Sequence, residues 1–76
     1  MASKFETAVK KVIEENELKS LTSMGASRMW KVGHALEAKE IAPEEAVEEF
    51  FKEQDYRIKL GSKTREVKTS MMQMIN

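Results

Sequence analysis

Apolar residues recur at Phe5, Ala8, Val9, Val12 and Ile13, the i, i+3, i+4, i+7 and i+8 positions of one helical stripe. Lys10, Lys11, Glu14 and Glu15 fall off that stripe and are expected to face water. Ser3 followed by Glu6 has the form of a capping box, in which hydroxyl and carboxylate each take an orphan backbone N–H. The pattern predicts a helix over 4–17. Leu18 and Leu21 continue an apolar face, but Ser20, Thr22 and Ser23 interrupt it with hydroxyls that compete for the backbone. A bend is expected at 18–22, with Ser23 or Thr22 capping a second helix over 24–39. Its stripe is Met29, Val32 and Leu36. Gly25 and Gly33 each cost about 1 kcal/mol against alanine inside a helix, so Gly33 points to a close helix approach or a kink.

Pro43 fits the first position of a helix, where its missing N–H costs nothing, and Glu44 and Glu45 complement the positive helix start. Ala46, Val47, Phe50 and Phe51 form the next stripe, predicting a helix over 43–54. The short link around Glu40–Ala42 makes the second and third helices spatial neighbours. Beyond it the pattern is ambiguous. Tyr56, Ile58 and Leu60 alternate with Arg57 and Lys59, as in a strand. Val67, Met71, Met74 and Ile75 are spaced for a helix over 63–75. The favoured reading is an extended segment at 56–60 leading into that helix. The competing reading is a hairpin of Tyr56–Leu60 and Thr64–Thr69 turning at Gly61–Lys63. Either way the fold expected is all-α, a small bundle of three to four helices in a single domain over 1–76.

Composition narrows the function classes. The 76 residues are 41% apolar and 34% charged, too apolar for a disordered chain and too charged for a membrane one. No cysteine is present, so disulfides, thiol nucleophiles and Cys-ligated metals are excluded. No run reaches the roughly 20 apolar residues that cross a bilayer, and Met1–Phe5 carries no apolar signal segment. A reducing, cytoplasmic location is the expectation. A chain this short buries only somewhat more than about 60% of its unfolded surface, and its stability should be roughly 4–11 kcal/mol. It must therefore pack well or oligomerise.

The net charge is zero only in sum. Residues 1–36 carry +2, residues 37–55 carry −6 and residues 56–76 carry +4. The third helix and the C-terminal segment should attract each other, or one of them should serve as a partner surface.

Several constellations could carry chemistry. Arg57, Lys59, Lys63, Arg65 and Lys68, with Arg28 and Lys31 on the second helix, could meet nucleic-acid phosphates. Against this, a dedicated binder is usually basic as a whole, and the pI here is near 6.6. Gly25-Ala26-Ser27-Arg28 has the residue types of the turn and recognition-helix start of a helix-turn-helix motif. The position four beyond Ser27, which should be apolar, is Lys31. The first turn of an ordinary helix is the favoured reading. His34 and Glu37 form a single His-x-x-Glu pair, where carboxylate-bridged bundles use several such motifs. Glu44, Glu45, Glu48 and Glu49 make an acidic face that could be merely solvated, bind a basic partner, or imitate DNA phosphates. Met71, Met72 and Met74 crowd the last helix, and methionine suits adaptable contacts. Trp30 is expected to be a core or interface anchor.

No nucleophile–base pair, phosphate loop or dinucleotide fingerprint is present. Catalytic residues, cofactors and metals are therefore not expected. The leading expectation is a non-enzymatic regulatory protein that binds another protein through Met29, Trp30, Met71, Met74 and Ile75. A DNA-binding regulator of helix-turn-helix or winged-helix type is the alternative, and an acidic-face inhibitor of a nucleic-acid-binding protein the third. A homodimer is compatible with each, and no membrane partner is expected.

Overall fold

The computed structural model of the chain describes residues 3–53 and 56–76, with the side chain of Glu53 outside the description. The expected end of the third helix at Gln54, the counted Asp55 and the Met1–Ala2 part of the N-terminal segment lie outside the described residues. Four helices of 11 to 15 residues are present: α1 (Lys4–Glu15), α2 (Ser23–Glu37), α3 (Pro43–Glu53) and α5 (Thr64–Ile75). A single turn, α4 (Tyr56–Leu60), and a 3-10 turn at Gly61–Lys63 lead into α5. The domain is all-α, with no strand among the described residues.

Local chemistry sets the boundaries. Ser3 and Glu6 form the expected capping box, with the Glu6 N–H donating to Ser3 Oγ at 3.1 Å and the Ser3 N–H donating to Glu6 Oε1 at 3.3 Å. Thr22, not Ser23, caps α2: its Oγ1 accepts the Gly25 N–H at 3.0 Å. Both α1 and α2 end two residues before the predicted positions, and the ends share one geometry. Glu17 and Lys39 adopt left-handed φ of 53° and 61°. The Leu18 N–H then returns to the Ile13 carbonyl at 3.0 Å, and the Glu40 N–H to the Ala35 carbonyl at 2.8 Å. These are Schellman closures made without glycine.

The expectation for 56–60 is corrected. Tyr56 and Leu60 are buried, while Arg57, Ile58 and Lys59 are exposed. Burial thus recurs with a helical period of four. A strand would have put Ile58 on the same face as Tyr56 and Leu60, yet Ile58 is 81% exposed. The hairpin reading falls with it, because Thr64–Thr69 belongs to α5.

The neighbouring pairs α1–α2, α2–α3, α3–α5 and α5–α1 close a ring of four helices, with α4 packed on α3. Phe5, Val9 and Val12 of α1, Met29 of α2, Phe50 and Phe51 of α3, and Val67, Met71 and Ile75 of α5 fill its centre. Phe50 meets Phe51 edge-on at 5.1 Å and Tyr56 at 4.8 Å. The Tyr56 hydroxyl donates to the Lys19 carbonyl at 2.6 Å, pinning the α1–α2 link to α4. Burial raises its pKa, so it stays a neutral donor at ordinary pH. Gly33 is the close approach its sequence position suggests. A Cβ there would overlap Ser3 Oγ and sit 3.3 Å from Ser3 Cβ, so α1's capped start rests directly on α2.

Candidate functional site

Two regions carry the residues singled out by sequence. The first is the outer side of α2. Positions 23, 27, 30 and 34 repeat at helical spacing, and all four residues are exposed. Trp30 is half exposed, at 51%, and its ring lies 4.2 Å from the His34 ring. One turn before it, Ala26 lines a groove between α1 and α2. Val9, Ile13, Leu21 and Met29 supply the groove's apolar lining, and Glu6, Lys10 and Glu14 add charge to it. An exposed tryptophan on a helix face offers a large, rigid contact area of the type that dominates protein interfaces.

The other four predicted contact residues are placed differently. Met29, Met71 and Ile75 are buried, and Met74 packs partly buried against the core. The methionine-rich end of α5 seals the ring rather than presenting a face. Of these residues Trp30 is the most exposed, Met29 contributes only to the floor of the α1–α2 groove, and Met71 and Ile75 face the core.

The second region is a charged network on α3. Glu48 accepts from Lys68 Nζ at 2.7 Å and from an Arg57 guanidinium N–H at 3.2 Å. Glu49 pairs with Arg28 at 2.6 Å and Lys52 at 3.6 Å. Lys68 also lies 5.4 Å from the Phe51 ring centroid. Half of the predicted acidic face is thus paired within the molecule, as is part of the predicted basic set. Among the described residues no ion pair reaches Glu44, Glu45, Lys31, Lys59, Lys63 or Arg65. Sequence reasoning treated Glu48 as one of four equivalent glutamates. The opposed charges of residues 37–55 and 56–76 were the signal for its role, but helix periodicity alone could not give the pairing.

The hydrogen bond from Lys68 holds the Glu48 carboxyl below its ordinary value of 4.5, helped by the charges of Lys68, Arg57 and Lys52, while partial desolvation opposes them. Glu49 is lowered chiefly by its bond to Arg28. The folded state thus binds these protons less readily than the unfolded chain. The pairs contribute fully above the ordinary carboxylate value, and their contribution is lost as pH falls below 4.5 through the folded values. The double variant Glu48→Gln, Glu49→Gln should show a shallower loss of stability in that acid range, read from urea midpoints. An unchanged acid dependence would remove these pairs as its source.

Gly25–Arg28 lies inside the first turns of α2, so the turn of a helix-turn-helix motif is not formed there. The His34 ring lies tilted against Trp30, and no group of three or more metal-ligating side chains occurs among the described residues. Among the described residues no helix is long and apolar enough to cross a membrane. In comparisons with known proteins, no family model, no curated protein and no solved structure matches this chain.

Proposed function

We propose that the chain is a small, non-enzymatic regulatory protein that binds another protein through the outer side of α2. The observation that carries this reading is Trp30, half exposed on the outer side of α2 and outside the core cluster, with its ring against His34. A tryptophan loses little conformational entropy on docking and gains much by desolvation, which is why it recurs at interface centres. Trp30 is not spent on the core, so replacing it separates binding from folding.

The test is capture with immobilised full chain from nuclease-treated lysate, followed by titration of the captured protein against Trp30→Ala. Affinity should fall at least tenfold, as for an interface anchor. The unfolding free energy should shift by no more than about 0.5 kcal/mol, as for other surface substitutions. Unchanged affinity in the Trp30→Ala chain would overturn the assignment of this face.

A further inference from the structure

The basic segment has a local organisation that protein binding at α2 does not use. Arg57 from α4 and Arg65 and Lys68 from α5 line one shallow recess, floored by Gly61, Ser62 and Thr64. The Thr64 hydroxyl donates to the Gly61 carbonyl at 2.8 Å and the Arg57 carbonyl at 3.2 Å, fastening the two helices where the chain turns. Gly61 makes that turn with a left-handed φ of 57°. The backbone thereby brings three cationic residues to one recess, and among the described residues one carboxylate, Glu48, pairs with two of them, Arg57 and Lys68. Arg65 has no ion pair among the described residues. Lys59 and Lys63 extend the positive surface on either side of the turn, and both are exposed.

We propose that this recess binds a phosphate of a nucleic-acid backbone and that Glu48 is its resident competitor, an internal anion displaced when the phosphate enters. The chemistry favours a phosphodiester chain. Guanidinium forks match phosphate oxygens in paired hydrogen bonds. One exposed ion pair is worth little, so useful affinity requires a polymer that also engages Lys59 and Lys63. The recess is formed by α4 and α5, whereas Trp30 lies on α2, and α5 is not one of α2's principal neighbours in the ring. Each site can therefore fail without the other.

The experiment is a fluorescence-anisotropy titration of labelled single-stranded and double-stranded oligonucleotides with the full chain. Glu48→Gln should tighten binding about two- to fivefold, the scale set by exposed ion pairs. Arg65→Gln should weaken it by a similar factor. Glu37→Gln, which removes the same charge from the exposed end of α2, should change it less than Glu48→Gln. If about three phosphates are neutralised, affinity should fall about 40-fold for the duplex and about 20-fold for the single strand between 50 and 200 mM salt. Circular dichroism of each variant checks the fold. Three outcomes overturn the proposal: no binding of either oligonucleotide at low salt, equal effects of Glu48→Gln and Glu37→Gln, or displacement of the oligonucleotide by polyglutamate of equal charge as readily as by unlabelled oligonucleotide.

Discussion

Phe50→Ala should cost about 3–5 kcal/mol, the largest loss expected of any single truncation in this chain. Phe50 is fully buried and touches two other aromatic rings of the core, Phe51 at 5.1 Å and Tyr56 at 4.8 Å. Truncation removes the transfer free energy of the ring and leaves a void between α3 and α4 that rigid neighbours close only in part. Set against a total stability of roughly 4–11 kcal/mol, the loss takes the domain close to its unfolding threshold. At about 4–8 °C per kcal/mol, the melting temperature should drop by at least about 12 °C. Thermal and urea melts followed by circular dichroism provide the measurement. Phe50→Leu, which keeps most of the volume, should cost much less. A loss below about 1 kcal/mol for Phe50→Ala would show that the core's centre lies elsewhere.

Gly33→Ala should destabilise, although alanine is the better helix former by about 1 kcal/mol. The added Cβ meets Ser3 Oγ and Ser3 Cβ, while Phe5 Cβ, at 3.7 Å, is at ordinary contact distance. Ser3 cannot simply turn away, because its Oγ accepts the Glu6 N–H and its own N–H donates to Glu6. Either the cap breaks, at about 0.5–2 kcal/mol, or α1 and α2 separate, at about 1–3 kcal/mol. Less the gain in helix propensity, the net loss expected is up to about 2 kcal/mol. A second substitution isolates the cause. Ser3→Gly costs only a few tenths of a kcal/mol as a cap and removes both clashing atoms. In that background Gly33→Ala should become neutral or stabilising, and the double-mutant cycle should show strong coupling. Independent, additive losses would place the strain somewhere other than the Ser3 contact.

Much of this architecture was legible from residue spacing. The stripes Phe5–Ile13 and Ala46–Phe51 each fit one period, and Ser3–Glu6 and Pro43 mark their starts. The misreading at 56–60 has a definite cause. Tyr56 and Leu60 suit a period of two or of four equally well, and only position 58 distinguishes them. That position holds isoleucine, a strand-favouring residue, which tertiary packing leaves in solvent. The caps were legible to within a residue, since Thr22 and Ser23 are adjacent hydroxyls. The C-terminal boundaries were not, because Glu17 and Lys39 take left-handed conformations usually left to glycine. The candidate site was less legible. Met29, Trp30, Met71 and Ile75 were grouped together, and of these four the structure exposes Trp30, because the sequence does not show which residues a ring of helices encloses. Glu48 draws its partners from 9 and 20 residues away, a separation that local pattern reading does not span.

The ring closes through α1 and α5, so its earliest and latest helices depend on each other. During synthesis, at about 5–20 residues per second, α1 emerges several seconds before α5 exists. Throughout that interval Phe5, Val9 and Val12 have no C-terminal partner. Any early structure in α1 must then rest on its Ser3 cap and its contact with α2. Cooperative folding therefore waits for the Val67, Met71 and Ile75 stripe, and a ribosome stalled before α5 should display an unfinished apolar surface to chaperones.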